Sequence, residues 1–578
     1  MTKDRLYPAL CAALVALCVF ATVPWLEMGF NDDWSYAHTA RALAASGRMT
    51  YDGWGQPMLG FQAFWGAALI RLFGFSFTLL RLSTLPFAAA CAALAYGLGR
   101  EAGLEAEWAL AGAAGFALSP LFIPLAASYM TDIPSLCCWL ACAWFGLRAL
   151  REERASRTIL WMSAAALTGF LGGTIRQVVW AVPLWTLAVA GWRKRKQPVV
   201  AAAAGLLWLA VAASAALCLR WFVKQPGAEL GLYAWANYTF IDYARDTLES
   251  ILLIAAGSLV FVLPVLALFL MEWRQLLRRP RALIVSALIA SAAIAGLIWG
   301  YSDDVLPGNM VTHNGILYAG QEALGSKPEY LPDAALYSLA AAVAVCAAFA
   351  GAAAARSAGA WIRGRRTADA APRSAGRLCG FLILYIPPCL VYVAVTLCRG
   401  YLFDRYLLPL LPAVAIPLLR IRPGAVRDSV PKAMWAVVAL LAVYGTSTMH
   451  DYLASERARL EAATRLSNAG IARNQISAGF EYDAWTELER TGRIEDRQFP
   501  DKDEPGFADL ATLYPVFPPF WFWAHAPSIA PVYLVTYSRV GQLHDLERFP
   551  PIGYTAWLPP FHREVFTQAS RLSVDSQR

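Results

Sequence analysis

The sequence predicts a polytopic α-helical membrane protein with a small mixed α/β domain at its C-terminal end. Three observations predict it. Apolar residues make up 58% of the 578 residues and charged residues only 16%, against roughly 45–50% and about 25% in soluble domains. Mean hydropathy is accordingly high, +0.45, and the apolar residues fall in repeated runs of roughly 20, the length that crosses a bilayer core. After His450 the composition turns ordinary and polar, with strand-like stretches such as QISAGFEYDAW and PVYLVTYSRV set between turn signals.

About thirteen runs meet the length criterion for a membrane span. They cover residues 6–28, 78–98, 108–127, 133–150, 158–172, 178–192, 199–222, 251–271, 282–299, 334–355, 378–397, 402–419 and 434–447. The first follows a charged start, MTKDR, and runs on past the length of a signal-peptide core without a small-residue cleavage site. It is expected to be retained as a helix. Later loops carry the basic runs WRKRKQP, RQLLRRPR and WIRGRR. Such runs hold loops in the cytoplasm, so the N-terminus is expected inside.

That orientation places residues 29–77, 223–250, 301–333 and everything after His450 on the outer side. It also explains the net charge of +8 as a topology signal, not a nucleic-acid footprint. The eleven Cys all fall in predicted spans or, for Cys398, directly at the end of one, and none lies after it, so they form neither a disulfide framework nor a metal-spaced pair. They are expected to pack as small apolar residues. The segment YPVFPPFWFW, 514–523, is apolar but carries three prolines, and reads as an interfacial or packing element.

The chemistry is expected on the outer face. Asp32 and Asp33 stand directly after the first run, followed by an amphipathic helical pattern with Tyr36, Ala40, Leu43 and Ala44. Helix capping accounts for one such Asp. It accounts less well for the pair, because adjacent carboxylates repel unless a cation or proton relieves them. Asp132, in SYMTDIPSL, surfaces on the same side, with capping again the plain alternative. Acids converging on one face supply a base for a hydroxyl acceptor or ligands for a divalent cation.

Arg176 and Arg405, at the outer ends of their runs, are either interface anchors or phosphate binders. Lys224, Arg245 and His313 satisfy the same criterion less fully. The six His lie on the outer side without ligand spacing on any helix, so no zinc site is expected.

In order along the chain, NDDWSYA, QPMLGFQAF, LLRLSTLP, MTDIPSL and DRYLLPLLP resemble the GT-C glycosyltransferases. The protein mannosyltransferase, aminoarabinose transferase and galacturonosyltransferase branches are the most similar. The resemblance covers the membrane part, 1–450, and fades in the tail, 451–578. It implies a GT-C-like fold, a sugar donor on a polyprenyl phosphate, an active site between the 29–77 loop and the membrane, and inversion at the anomeric carbon.

Against the aminoarabinose loop, Asp-Glu-x-Arg-Tyr-Ala-Glu, Asp32 matches the catalytic acid, Asp33 the Glu and Tyr36 the Tyr. Ser35 stands where that branch has Arg, and His38 where it has the last Glu, a departure that bears on the donor sugar. Asp132 and Arg405 match recurrent positions of the wider group. The resemblance thus implies Asp32, Asp33 and Asp132 as catalytic residues. Tyr36, His38, Arg176, Arg405 and Tyr406 would bind substrate, and a divalent cation is an open option.

The implied protein is a hexosyl- or pentosyltransferase of a bacterial inner membrane, its acceptor an envelope glycan, lipid or protein, and its C-terminal domain periplasmic. Two other classes use such a scaffold. A lipid or glycan transporter should show repeated halves and ionisable residues deep in the spans, and here the charges sit near span ends. A non-catalytic assembly protein would work through the tail.

Overall fold

A computed structural model of the chain describes residues 3–228, 240–277, 280–300, 309–317, 323–365, 373–398, 402–426, 428–494, 520–541 and 543–569. The molecule is a helical membrane part joined to a small sheet domain. Among the described residues, eight helices are long and apolar enough to cross a membrane, or nine if one bent pair counts as a span. The thirteen expected from composition are not reached.

For three of the runs the reason is backbone continuity. Run 108–127 breaks at Ser119 and Pro120 into Ala106–Ala117 and the short Phe122–Ala126. Run 402–419 divides into the 3-10 turn Asp404–Leu407 and the helix Leu411–Arg420, between which Pro409 falls. Run 251–271 bends by 68° between Thr247–Phe261 and Leu263–Leu277. Hydropathy counts apolar residues whether or not one helix carries them. Proline and polar breaks decide the rest.

The spans that do form pack through small residues. Asp132–Arg151 lies along Ala155–Ile175, and a Cβ added to Gly172 would stand 2.6 Å from Cys138 Cβ. Gly146 likewise abuts Thr186, and Gly169 abuts Pro183. Close approach at glycine is a standard way to hold helices in lipid, where no hydrophobic force drives them together. All eleven cysteines are free thiols, buried or half-buried.

Two side chains anchor the loop after the first helix, Lys3–Ala21. Arg81, of the LLRLSTLP motif, is wholly buried and donates to the carbonyls of Pro24, Leu26 and Met28 at 2.7–2.9 Å. Asp33 accepts the backbone N–H of Phe30 at 2.6 Å and of Tyr129 at 2.9 Å. Together they bring the loop, the start of Asp33–Ser46 and the Asp132–Arg151 helix to one level.

The last membrane helix, Lys432–Asn468, runs on through His450, so the two parts share one continuous helix. Beyond it lies a five-stranded sheet: β1 (Ile476–Ser477), β2 (Tyr533–Thr536), β3 (His544–Asp545), β4 (Ile552–Thr555) and β5 (His562–Ala569). The order is β1-β2-β5-β3, with β4 also on β5, and only β1 and β2 pair in parallel.

PVYLVTYSRV gives β2 as expected. QISAGFEYDAW gives only β1, and then Phe480–Thr491 is helical. Its buried Phe480, Ala484, Trp485 and Leu488 recur at a helical spacing, not at the alternation of a strand. Of the 514–523 segment, residues 514–519 lie outside the described residues. Phe520 to Trp523 enter a 3-10 turn, with Phe520, Phe522 and Trp523 buried in the core shared with the first loop.

Candidate active site

The first loop turns at Asn31, whose φ of 50° is left-handed, a conformation Asn accepts more readily than most residues. Asp32 follows at the N-cap position of Asp33–Ser46, yet makes no capping bond with its side chain. Its carboxylate faces two other donors. Oδ2 lies 3.1 Å from Arg405 Nη2, and Oδ1 accepts from Trp54 Nε1 at 3.0 Å. Capping therefore does not describe what this side chain does.

Arg405 is presented by the turn Asp404–Leu407. The buried carboxylate of Asp404 fixes that turn by accepting the N–H groups of Met310 (3.0 Å), Val311 (2.8 Å) and Arg405 itself (2.7 Å). The Arg405 guanidinium lies over the rings of Phe403 and Tyr406, at 4.9 and 5.7 Å. Arg176 reaches the other side of the same tyrosine network, 5.4 Å from the Tyr406 ring. It donates from Nε to Thr131 Oγ1 at 2.8 Å, and its Nη1 stands 3.0 Å from Asp132 Oδ1.

A narrow cleft with a free volume of about 10 Å³ lies among these groups. Asp132, Arg176 and Arg405 form its charged wall, while Leu136, Trp139, Val179 and Leu408 form an apolar one. Arg405 Nε and Nη1 and both Asp132 carboxylate oxygens are buried without a hydrogen-bond partner among the described residues. The Arg176–Asp132 contact is thus an ion pair by distance, without hydrogen-bond alignment. Buried polar atoms are nearly always satisfied, so the two open donors of Arg405 and the two open acceptors of Asp132 leave the cleft with unused hydrogen-bonding capacity of both kinds.

Tyr36 is buried within electrostatic reach of Asp32, Arg405, Arg176 and Asp132. Burial, with the Asp32 charge adding to it, pushes its phenol well above the ordinary value, so it is a neutral hydroxyl.

Two predicted residues stand elsewhere. Asp33 turns its carboxylate onto backbone N–H groups, and burial pushes its pKa up to about 6. His38 lies about 200° around the helix from Tyr36. Its Nδ1 is 3.8 Å from Asp52 Oδ2, and its ring meets Trp485 edge-on. Burial pushes His38 down and Asp52 up, each opposed by the charge of the other. Of the lesser candidates, Arg245 pairs with Glu249 one helical turn away.

Among the described residues no three His, Cys, Asp or Glu side chains group as a metal site; Asp32 and Asp132 each face a guanidinium. The sequence reading missed Trp54, Thr131 and Asp404. Trp54 left one usable signal, a large ring set between Gly53 and Gly55 in a polar loop.

Residues 56–218 match the family model described as dolichyl-phosphate-mannose-protein mannosyltransferase. The chain is similar to the GT-C membrane glycosyltransferases. The matched stretch contains Asp132 and Arg176 and lies between Asp32 and Arg405 without reaching either. Solved structures similar to this chain include the S. cerevisiae protein O-mannosyltransferase Pmt1-Pmt2 complex bound to the sugar donor. That match is 16% identical, covers 41% of this chain and 35% of that one, and has a TM-score of 0.31. This chain therefore spans about a third of that relative's length.

ArnT from Cupriavidus metallidurans bound to undecaprenyl phosphate is 14% identical over 97% of this chain and 98% of its own, with a TM-score of 0.40. The Archaeoglobus fulgidus oligosaccharyltransferase complex with Zn and sulfate is 14% identical over 67% of this chain and 53% of its own, with a TM-score of 0.28. Among curated proteins nothing matches.

Proposed function

We propose that this chain is an inverting glycosyltransferase that moves a sugar from a polyprenyl-phosphate carrier to an envelope glycan, lipid or protein on the outer face of a bacterial inner membrane. The observation that carries the reading is the pair of guanidiniums, Arg176 half-buried and Arg405 buried, around a cleft whose other wall is apolar. A polyprenyl phosphate has that division, an anionic head on a hydrocarbon tail. The open donors of Arg405 suit phosphate oxygens, for which the guanidinium fork is well shaped.

In the proposed reaction the acceptor hydroxyl oxygen attacks the anomeric carbon. The bond from that carbon to the phosphate oxygen breaks, and the phosphate leaves with the electron pair. Asp32 takes the acceptor proton, a role that contributes roughly 10²–10⁴-fold. Arg405 and Arg176 hold the charge that grows on the departing phosphate. A single displacement inverts the anomeric centre. Arg405 pairs with Asp32, and a donor phosphate competes for that guanidinium, leaving the carboxylate free to accept a proton. Asp132 keeps Arg176 in place from the other side.

The experiment is to present the purified protein with a panel of undecaprenyl-phosphate hexoses and pentoses and to measure released undecaprenyl phosphate in the presence of envelope acceptors. Release with one donor supports the reading. Movement of intact donor across a liposome membrane without cleavage would instead establish the transporter class.

A further inference from the structure

We propose that the C-terminal domain is a positioning element for the catalytic carboxylate, gripping the chain on both sides of Asp32 through Asn31 and Trp54. This rests on Asp32 being the base of the reaction above. The first grip is Glu481, buried in the first turn of Phe480–Thr491. Its carboxylate accepts the N–H of Asn31, the residue before Asp32, at 3.1 Å. Glu481 is itself held, accepting from Tyr452 Oη at 2.9 Å and Arg459 Nη2 at 3.4 Å. Arg459 in turn pairs with Glu456. The left-handed turn that launches Asp32 is thus tied to a buried charge cluster of the distal domain and its supporting helix.

The second grip is Trp54. Its ring is caged by Phe480, Phe522, His525 and Trp521 of the C-terminal domain, at centroid distances of 5.7, 5.4, 5.4 and 6.1 Å. Trp34 completes the cage at 5.7 Å. The backbone beneath is also fixed, because Ile494 N–H donates to the Asp52 carbonyl at 2.7 Å, and Trp54 N–H to the Asp52 carboxylate at 3.1 Å. The polar edge of this caged indole, Nε1, is directed onto Asp32 Oδ1.

Arg405 takes one carboxylate oxygen and Trp54 the other. Two donors at opposite oxygens set the plane of the carboxylate, and a base must be held to within about half an ångström of its working position. Trp54 and Glu481 touch neither donor nor acceptor in this account. They act through Asp32.

The test measures kcat and donor KM for undecaprenyl-phosphate sugar cleavage, with thermal unfolding followed in parallel. Trp54→Phe keeps the caged ring and deletes only the N–H. Losing a hydrogen bond to a charged group predicts a fall in kcat of roughly 10- to 100-fold with donor KM unchanged. Glu481→Gln keeps an acceptor for Asn31 and should hold kcat within about threefold, while Glu481→Leu should lose it to a similar degree as Trp54→Phe. Wild-type kcat in Trp54→Phe overturns the proposal, as does a Glu481→Leu variant that loses only stability. If Glu481→Leu does not fold, Trp54→Phe decides alone. Asp32→Asn, run alongside, separates the two readings. An active Asp32→Asn removes the base assignment, whereas an inactive one beside a fully active Trp54→Phe removes the positioning role only.

Discussion

Removing the Arg405 guanidinium should damage catalysis and stability in separable ways. Arg405 is buried, with its Nη2 3.1 Å from an Asp32 side chain that is 18% exposed. Breaking a fully buried pair costs about 3–5 kcal/mol. Asp32 retains some solvent and its bond from Trp54, so Arg405→Ala should cost about 2–3 kcal/mol of stability. Its effect on turnover should be larger, roughly 10²–10³-fold, the scale of losing one donor to developing charge. Arg405→Lys keeps the charge and loses both the fork and the stacking on Phe403 and Tyr406, so it should fall between wild type and Ala.

The double variant Asp32→Asn/Arg405→Met removes both charges. It should recover stability to within about 1 kcal/mol of wild type and remain inactive. Release of undecaprenyl phosphate gives the rates, and thermal unfolding in detergent gives the stabilities. Lys and Ala variants that both turn over within about threefold of wild type would refute phosphate handling by Arg405. They would leave it as the structural partner of Asp32.

Three further predictions follow from the same geometry. Asp33→Asn keeps one acceptor oxygen for two backbone donors; it should lose roughly 1–3 kcal/mol of stability while kcat per folded molecule stays within about threefold, as stability and single-turnover measurements together will show. Burial raises Asp33 to about 6 and Asp483 to about 7, so the folded chain holds protons that the unfolded chain, near 3.8, has released. Their contribution is present in full below about pH 4 and lost as pH rises through 6 to 7, so unfolding temperature should fall between pH 5 and pH 8, less steeply in Asp483→Asn. Reporter fusions after Gln197 and Arg366, the latter outside the described residues, should read cytoplasmic, and one at the C-terminal end external; a cytoplasmic C-terminal reporter would separate Asp32 from its proposed compartment.

Residues whose role follows from local pattern were legible in the sequence. Asp32, Asp132, Arg176 and Arg405 carry charge at the ends of apolar runs, where charge is costly unless it has a task, and the fold gathers all four with Tyr36 and Tyr406. Asp33 and His38 were less legible because adjacency along a chain says little about direction on a helix. A step of one residue turns the side chain by about 100°, enough to send Asp33 onto backbone and His38 toward Asp52.

The count of thirteen spans is not confirmed, and apolar composition and helix continuity part company at Pro120 and Pro409. The part that Glu481 plays had no sequence signal at all. Glu481 meets Asn31 across 450 positions of the chain, a contact that only tertiary packing creates.

The central claim is that Asp32 accepts the acceptor proton, and the measurement that tests it most directly is sugar transfer by Asp32→Asn. Asn is isosteric and caps a helix about as well as Asp, so folding and membrane insertion should stay near wild type. The substitution removes the negative charge and the ability to take a proton. Transfer from the undecaprenyl-phosphate donor that wild type cleaves should fall by roughly 10²–10⁴-fold, while undecaprenyl phosphate still binds at the arginine-lined cleft. Asp132→Asn, which loosens Arg176 without touching the base, should show a smaller loss. Full transfer by Asp32→Asn, in protein shown to be folded, would contradict the account.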